Sequence, residues 1–385
     1  MPPIEEVLKL KTELLCKGLF IDQALIDHYK KQGINIEFGR KGGAGPLGGR
    51  YFKFEVPNQQ KPIIVNAALW NNKDRTDLIL GKKKGRFFNI YKNNQDNLWG
   101  KVELIENPEY YSPEYKTSDG IPMRKIALVH GIDCLGTTIY QKCKHWECGQ
   151  ACAFCGIELS LKYDTTILEK TGKQISEVIT AAKKEGRCSH MTITSGTEAT
   201  EDKGALRYIR VLKEIKKQHP DIPLHIQIEP LENLSYLQQL KDAGAATIGI
   251  HIEVLDNTLR KEITPGKYDI PYSLFEKNWK KVVKIFGRNQ VESFILTGFG
   301  ESKDVLLKDL EDLISIGVIP FVTPVRSIPG KSTLPQTDYS SLIALYREIA
   351  NLMDQYNVNP LENKAGCVRC GGCSAINEAY MSQQD

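Results

Sequence analysis

Two groups of three cysteines are the residues of this 385-residue chain whose spacing indicates chemistry. The first group has the spacing CxxxCxxC and the second CxxCxxC, and their members are Cys148, Cys152, Cys155, Cys367, Cys370 and Cys373. Ten cysteines in all are too few for a disulfide scaffold, and one chance triplet of this kind has odds of about 1 in 100. Three thiolates so close in sequence repel one another unless a cation neutralises them. The spacing therefore predicts two metal centres.

The number of ligands distinguishes the metals. Structural zinc takes four nitrogen or sulfur ligands, so the first triplet would need His145 or Cys143 as a fourth, and the tail supplies none of its own. A 4Fe-4S cluster held by three cysteines instead leaves one iron free to bind another molecule. We favour iron-sulfur clusters at both triplets, with Cys134 and Cys143 as candidate fourth ligands of the tail cluster. Cys16 and Cys188 are interpreted as plain buried thiols.

The elements that position the first triplet form an alternating pattern. From about residue 124, strand-like and helix-like stretches alternate with short breaks, which is typical of βαβ units around a parallel sheet. The predicted strands are 125–130, 190–194, 224–229, 247–253, 292–297 and 318–323. Four of the intervening amphipathic stretches end at a glycine suited to a helix C-cap. We predict an α/β fold with a partial (β/α)6 TIM-like barrel whose chemistry lies at the carboxyl ends of its strands.

Three regions follow from this pattern. Residues 1–120 form an N-terminal accessory region of small mixed or β structure, and residues 121–335 form the partial barrel. Residues 336–385 carry a helix and the second triplet, which we expect to be an appendage outside the barrel. The glycine-rich segment GGAGPLGG in the first region is interpreted as a loop or cover. It is not a phosphate cradle, because no helix clearly follows it.

Composition excludes several classes of protein. Hydrophobic residues make up 41% and charged residues 25% of the chain, which is typical of globular proteins and not of disordered ones. A net charge of +4 is too small to demand nucleic acid or an anionic membrane as a partner. No run of about 18 apolar residues and no signal-peptide core occurs. We expect a cytoplasmic protein without a nucleic-acid or membrane partner.

The loop that carries the first triplet resembles that of the radical S-adenosylmethionine (SAM) superfamily, whose CxxxCxΦC motif holds a 4Fe-4S cluster. Cys148, Cys152 and Cys155 match the motif, and Phe154 is its aromatic residue. The resemblance implies that the free iron chelates the amino and carboxylate groups of SAM. It also implies that an electron from the cluster cleaves the sulfonium to give a 5'-deoxyadenosyl radical, with a ferredoxin-type or flavodoxin-type protein as the low-potential electron donor.

The same resemblance implies residues that contact SAM. The segment 194–198 stands where the family has its GGE motif, with serine in place of the first glycine, and the segment FILTGFGES resembles the adenine-binding strand. Glu229 would bind the ribose or carboxylate, and Arg326 an anionic group of SAM or substrate. The expected SAM-contact residues are Ser195, Gly196, Thr197, Glu198, Glu229, Gly298, Gly300, Glu301 and Arg326. The alternatives are solvated strand-end carboxylates for Glu229 and Glu301, and a surface-loop arginine for Arg326.

Four further residues have two interpretations. His130 and Asp133 flank Gly131 before the cysteine loop, and His251 and Glu253 share one face of the fourth strand. These side chains either face the substrate or, in the case of His251, form a hydrogen-bonded histidine inside the barrel.

Nearly the full chain is similar to a less characterised radical SAM family, through GAGP at 43–46, DGIPMRKIALVHGIDC at 119–134 and the CxxCGxCSA tail at 367–375. Radical SAM enzymes with a second, auxiliary 4Fe-4S cluster include biotin and lipoyl synthases, in which that cluster is the sulfur source. The resemblance implies sulfur insertion at unactivated C–H bonds, most like archaeal two-protein lipoyl synthases. Those enzymes act on an octanoylated lipoyl carrier domain, and a second radical SAM subunit would be a partner.

Two other functions remain open at this point. In the first, the enzyme performs a radical oxidation or rearrangement, and the auxiliary cluster only relays electrons or anchors the substrate. In the second, a remote alternative, the chain is a zinc-stabilised binding protein without enzymatic activity. The placement of the first triplet after a barrel strand has no purpose in such a protein.

Overall fold

The structure is a computed structural model that describes residues 3–34, 49–56, 61–94, 96–326, 334 and 336–384. The GAGP motif lies outside the described residues, as does the GGAGPLGG segment around it except for its last residue, Gly49. In the described part of the chain, no helix combines the length and the apolar composition needed to cross a membrane.

The N-terminal region folds into a small closed β-barrel with two helices. Its elements are α1 (Ile4–Lys17), β1 (Leu19–Phe20), α2 (Gln23–Lys30), β2 (Gly49–Phe54), β3 (Ile63–Trp70), β4 (Leu78–Lys84), β5 (Phe87–Lys92) and β6 (Leu98–Leu104). The strands are hydrogen-bonded in the order β1-β3-β2-β6-β5-β4. Alternate residues of β2 are buried, as expected of a strand with one face on the core. The prediction of small β structure in this region agrees with the structure.

A seven-stranded sheet with helices along it follows. Its elements are α3 (Met123–Ile126), β7 (Leu128–His130), β8 (Cys134–Thr138), α4 (Lys144–Glu147), α5 (Leu159–Lys162), α6 (Gly172–Lys184), β9 (His190–Thr194), α7 (Ala205–Gln218), β10 (Leu224–Gln227), α8 (Ser235–Asp242), β11 (Ala245–Gly249), α9 (Asn257–Ile263), α10 (Pro265–Tyr268), α11 (Tyr272–Phe286), β12 (Val291–Thr297), α12 (Lys303–Ile316) and β13 (Ile319–Pro324). The strand order β13-β12-β11-β10-β9-β8-β7 is sequential, and β8 to β13 are parallel. This is the predicted six-stranded half barrel.

The prediction of its first strand is wrong. Residues 125–130 form the end of α3 and the short strand β7, which pairs antiparallel with β8 through His130↔Cys134 and two further residue pairs. The first parallel strand is β8, with the sequence CLGTT. Its inward positions carry cysteine, glycine and threonine, so the sequence lacks the apolar run that indicates a buried strand. Gly131, with φ at 62°, makes the turn between the two strands.

The helices bury one apolar stripe each against the sheet. Helix α11 is an example: Trp279 is completely buried on it and donates its indole N–H to the Ile250 carbonyl at 2.9 Å. Gly287 and Gly317 end α11 and α12 in the left-handed region of φ, at 94° and 100°. Both are among the glycines predicted to end helices, and the structure confirms the prediction at these two positions.

The C-terminal segment consists of α13 (Tyr339–Gln355), α14 (Cys367–Cys370) and α15 (Ile376–Met381). Helix α13 packs against α1, α12 and α15, whereas α14 and its flanking residues lie along the concave face of the half barrel. The second triplet adds no strand to the barrel, but it packs against the sheet and is not a separate appendage. The division of the chain at residues 120 and 335 stays a prediction.

A buried ion pair connects α1 to the tail. The Lys11 ammonium group donates to the Glu378 carboxylate at 2.8 Å and to the Gly371 carbonyl at 2.8 Å, and neither charged side chain is more than 4% exposed. Burial raises the pKa of Glu378, and the charge of Lys11 opposes that rise. The N-terminal region thus holds the tail segment in place through a fully desolvated contact.

Replacing Lys11 with Met should lower the free energy of unfolding by about 3 kcal/mol, because it leaves the Glu378 carboxylate buried without a countercharge. Urea denaturation followed by circular dichroism measures this loss. The double variant Lys11→Met with Glu378→Leu should recover most of it, because no buried charge remains. Lys9→Met, which removes only the exposed pair with Glu5, should cost less than about 1 kcal/mol. A Lys11→Met loss as small as that of Lys9→Met would contradict the account.

Candidate metal centres

The first cysteine loop lies at the carboxyl ends of the parallel strands. It follows β8, and its backbone is tied to the loop after β9, where Lys144 N–H donates to the Thr197 carbonyl at 2.8 Å. Its other side is tied to the end of α9, where Ala153 N–H donates to the Ile263 carbonyl at 2.8 Å. This is the end of the barrel at which the sequence predicts chemistry.

The three thiols of this loop differ in exposure. Cys148 is exposed, Cys155 is partly buried and Cys152 is buried, and all three are free of disulfide bonds. Burial raises the pKa of the Cys152 thiol, and the nearby Lys267 ammonium group opposes that rise. Burial outweighs the positive charge, so the thiolate form that binds metals would depend on the metal itself for its countercharge.

A buried carboxylate, Glu229, connects the first cysteine loop to the segments that follow β9 and β10. Glu229 follows β10, and one of its oxygens lies 2.7 Å from His145 Nε2 and accepts a hydrogen bond from the Thr197 hydroxyl at 2.8 Å. Burial by itself would raise the pKa of Glu229, but the His145 hydrogen bond and the charges of Lys267, His145 and Lys203 lower it to about 2. Its other oxygen is buried without a hydrogen-bond partner. Glu229 is therefore an ionised, buried group and not a solvated strand end.

A second buried ion pair lies next to it. Both oxygens of Glu253 accept hydrogen bonds from Lys267, at 2.6 and 2.9 Å. Burial would lower the pKa of Lys267, but Glu253, Cys152 and Glu229 raise it above its usual range. Glu253 takes a positive φ of 58°, which is uncommon for a residue other than glycine. Lys267 and Lys203 are residues that the sequence interpretation missed, because neither belongs to a motif.

The segment predicted to replace the GGE motif lies directly against the cysteine loop. A Cβ atom on Gly196 would be 1.8 Å from the Lys142 carbonyl oxygen, so only glycine fits there. The Ser195 hydroxyl donates to the Gly196 carbonyl at 3.0 Å. Glu198 forms a two-point ion pair with Arg207 on α7, at 2.7 and 3.1 Å. The structure therefore brings 195–197 to the first triplet, whereas the Glu198 carboxylate is engaged with α7.

The predicted adenine-binding segment forms a tight turn after β12. Gly298 and Gly300 have φ at 112° and 90°, and the Glu301 carboxylate accepts hydrogen bonds from Gly298 N–H at 2.9 Å and Phe299 N–H at 2.8 Å. Glu301 thus stabilises the turn and is not simply solvated. The turn stands at the same end of the sheet as the first cysteine loop, because β12 is parallel to β8.

Arg326 lies apart from the other predicted SAM-contact residues. Its guanidinium donates to the Leu15 carbonyl at 3.0 Å and to the Asn66 carbonyl at 2.6 Å, both in the N-terminal region. Burial lowers the pKa of Arg326, and Cys373 is the largest opposing influence. It is therefore neither a surface arginine nor a neighbour of the first triplet. The structure assigns it to the surroundings of the tail cysteines.

The two histidines singled out from the sequence are half-buried and stack on aromatic rings. His251 stacks on Phe294 with ring centres 4.3 Å apart and accepts a hydrogen bond on Nδ1 from Phe294 N–H at 3.1 Å. It is the hydrogen-bonded barrel histidine of the second interpretation, although Nε2 has no hydrogen-bond partner. His130 stacks on Tyr51. Asp133 accepts a hydrogen bond from the Ser189 hydroxyl at 2.5 Å.

The tail crosses the concave face of the half barrel on a row of inward-facing polar side chains. Gly366 N–H donates to His190 Nδ1 on β9, and Val368 N–H donates to the Glu292 carboxylate on β12, each at 3.2 Å. Burial lowers the pKa of His190 to about 3, so its ring is neutral and can accept this bond. The Ala365 carbonyl accepts a hydrogen bond from the Thr247 hydroxyl at 3.2 Å, and the Cys373 carbonyl accepts one from the Thr323 hydroxyl at 2.7 Å.

The three tail thiols are partly buried, and two of them have side-chain amide donors beside them. Asn66 Nδ2 lies 3.5 Å from Cys373 Sγ, and Gln227 Nε2 lies 3.7 Å from Cys367 Sγ. Burial is the largest cause that raises the pKa of the Cys367 and Cys373 thiols. Amide N–H groups directed at sulfur stabilise the charge of an iron-sulfur cluster. The cysteine donors, the amides and the flanking glycines therefore fit such a cluster.

The zinc interpretation has less support from the side-chain arrangement. Zinc binds sulfur at about 2.3 Å, so its ligands converge on one point, whereas a cubane distributes its ligands over four irons. His145, the proposed fourth zinc ligand at the first triplet, uses its Nε2 in the contact with Glu229.

Two curated relatives are similar to part of the chain. The bacteriochlorophyllide c C-7(1)-hydroxylase of Chlorobaculum limnaeum is 24% identical over 264 residues, which are 63% of this chain and 65% of that protein. The lipoyl synthase of Histophilus somni is 27% identical over 195 residues, which are 50% of this chain and 58% of that protein. The matches thus span less than two thirds of the length of these relatives.

A solved structure and a family model also match. The crystal structure of a methylornithine synthase aligns with a TM-score of 0.47 and 16% identity over 65% of this chain and 70% of that chain. Residues 147–313, which include the first triplet and most of the half barrel, match the model of the Radical SAM superfamily. A domain of this kind implies a 4Fe-4S cluster and SAM as cofactors. The chain therefore carries a radical SAM domain, as its first cysteine triplet predicts.

Proposed function

We propose that this chain inserts sulfur at unactivated C–H bonds by radical SAM chemistry, with a SAM-binding 4Fe-4S cluster at the first triplet and an auxiliary 4Fe-4S cluster at the tail. The observation that carries the proposal is that one half barrel positions both triplets. The first lies at the carboxyl ends of its strands, and the second lies on its concave face.

The first triplet would hold the SAM-binding cluster through Cys148, Cys152 and Cys155. When bound, the cluster and SAM supply a 5'-deoxyadenosyl radical that removes a hydrogen atom from the substrate. The chain contributes position and charge: the close contact of Gly196 with Lys142 fixes the loop that faces SAM. Glu229 fixes His145 and Thr197 around the same point.

The buried charges at this end also exclude water. The carboxylates of Glu229 and Glu253 are buried at the strand ends, and the ammonium groups of Lys203 and Lys267 balance their charges in place of solvent. A site from which water is excluded protects a reactive radical from side reactions. The second oxygen of Glu229 has no hydrogen bond and lies 3.9 Å from Lys203, so it can accept one from a hydroxyl or amino group of SAM.

Similarity to lipoyl synthases supports sulfur insertion. From the resemblance to lipoyl synthases we also propose the substrate and a partner. The substrate is an octanoyl group on a lipoyl carrier domain, and a second radical SAM subunit takes part. A ferredoxin-type or flavodoxin-type protein would supply the electron. The amide contacts to Cys373 and Cys367 fit a resident auxiliary cluster that could serve as the sulfur source.

A second candidate is a radical oxidation. The similarity to the bacteriochlorophyllide hydroxylase, which covers more of this chain than the lipoyl synthase match does, favours it. In that reaction the auxiliary cluster would relay electrons and keep its sulfur. The two candidates share the first cluster and differ only in the fate of the second.

Changing Cys152 to Ala should lower the rate of 5'-deoxyadenosine formation at least 100-fold, because the cluster that donates the electron loses a ligand. Anaerobic protein, SAM and dithionite are incubated, and the nucleoside is measured by chromatography. The triple variant of Cys367, Cys370 and Cys373 should still form 5'-deoxyadenosine. Equal rates for wild type and Cys152→Ala would remove the radical SAM assignment of this triplet.

Changing Glu229 to Ala should lower the free energy of unfolding by about 3 kcal/mol, since it leaves His145 and Thr197 without their buried acceptor and Lys203 without its nearest carboxylate. Guanidinium denaturation at neutral pH measures the loss. Glu198→Ala is the matched control and should cost about 1 kcal/mol, because its ion pair with Arg207 is partly exposed. If the two variants are equally stable, Glu229 does not organise this end of the barrel.

Turnover with an octanoylated carrier domain should consume sulfide from the protein in proportion to the product formed. Acid-labile sulfide and carrier thiols are counted before and after a single turnover under anaerobic conditions. The first proposal predicts about one sulfide lost per thiol inserted. Hydroxylated or desaturated product with no sulfide lost would favour the second candidate instead.

A further inference from the structure

We propose that Cys134 is the fourth ligand of the tail cluster, so that four cysteine thiolates saturate its irons. The inference rests on the auxiliary cluster of the proposed function and adds to it a ligand from a different part of the chain. Cys134 begins β8, whereas the other three thiols belong to the C-terminal segment. The cluster would therefore connect the tail to the first parallel strand of the half barrel.

The position of Cys134 meets the requirement for this role. It is 1% exposed, and it pairs with His130 across the β7–β8 hairpin at the point where the tail passes. The Cys134 thiol is a close neighbour of the Cys370 thiol, and its Sγ lies 3.5 Å from the Thr192 hydroxyl on β9. The turn of the same hairpin lies close by, since a Cβ atom on Gly131 would be 3.3 Å from Cys370 Sγ. The hairpin and the tail thus bring two thiols together without any change of the backbone.

The four thiols lie near one another beside Tyr51 of β2. A Cβ atom on Gly372, between Cys370 and Cys373, would be 2.9 Å from a ring carbon of Tyr51. Asn66 of the neighbouring strand β3 donates to Cys373 Sγ at 3.5 Å. The thiols of Cys373, Cys370, Cys367 and Cys134 are all close enough to Tyr51 to act on its hydroxyl. This arrangement favours a single four-sulfur site.

Cys143, the other candidate from the sequence, does not share this environment. It precedes α4 in the first cysteine loop, and its backbone N–H lies 3.4 Å from a carboxylate oxygen of Glu158. Cys188 is buried as well, but the charged groups that influence its thiol are Lys183, Asp133 and Asp221. Cys188 is therefore a matched control, since it is a buried thiol outside the four-sulfur site.

Full ligation determines what the cluster can do. The first cluster keeps one iron open for SAM, whereas a cluster with four thiolate ligands has no open iron. A substrate cannot bind to such an iron unless a thiolate leaves. The tail cluster therefore either conducts electrons or releases its sulfur after it loses a ligand, and it is not an iron-based anchor for the substrate.

The test uses the full-length chain with the first triplet changed to Ala (Cys148→Ala, Cys152→Ala and Cys155→Ala), so that only the tail cluster remains. We expect about four irons per chain after anaerobic reconstitution. Adding Cys134→Ala should make one iron labile: mild ferricyanide treatment should leave about three irons and the electron paramagnetic resonance signal of a three-iron cluster. The parent protein and the Cys188→Ala control should keep four irons under the same treatment.

Three results separate the possibilities. Cys134→Ser should restore most of the fourth iron, since a serine oxygen can replace the thiolate, and circular dichroism confirms that each variant is folded. The inference is wrong if the Cys134→Ala variant is folded, keeps four irons after ferricyanide treatment and gives the same electron paramagnetic resonance spectrum as the treated parent. Cys134 is then not a ligand. If the parent itself holds no iron, the tail cluster does not exist, and the proposed function loses its auxiliary cluster together with this inference.

Discussion

The structure depends on the hydrogen bonds between the concave face of the half barrel and the C-terminal segment that covers it. The inward-facing side chains of His190, Thr247 and Glu292 are buried and polar, and such groups are costly unless they have partners. The backbone of the tail provides those partners at Gly366, Ala365 and Val368. The same bonds that satisfy the sheet therefore fix the position of the tail cysteines.

This constraint explains how one sheet can position both cysteine triplets. The loop after β8 lies at the carboxyl ends of the strands, where the carboxylates of Glu229 and Glu253 are balanced by Lys203 and Lys267. The tail lies against the inward side chains, and Asn66 and Arg326 of the opposite wall contact it or flank it. In the proposed function, the first cluster would keep one iron for SAM, whereas the tail cluster would lie between the sheet and the N-terminal barrel. The N-terminal barrel thus has a structural role as the wall of the tail site.

Part of this arrangement could be predicted from the sequence. The cysteine spacing located both triplets, and the alternation of strands and amphipathic helices gave the half barrel, because burial on both faces of a parallel sheet leaves a clear pattern. Strand β8 was missed, since Cys134 and the glycine and threonines after it are selected for their contacts inside the barrel and not for hydrophobicity. The place of the tail and of Arg326 was missed for a related reason: contacts between distant segments have no local signal in the sequence.

The central claim is that each triplet holds an iron-sulfur cluster on the same half barrel. Crystals grown without oxygen, with SAM, and measured at the iron absorption edge test it most directly, because anomalous scattering locates iron independently of any activity. The account predicts two compact iron sites, one beside Cys148, Cys152 and Cys155 and one among Cys367, Cys370 and Cys373, each with the signal of about four irons. A map with no iron at the first triplet, or with zinc at both sites, would contradict it.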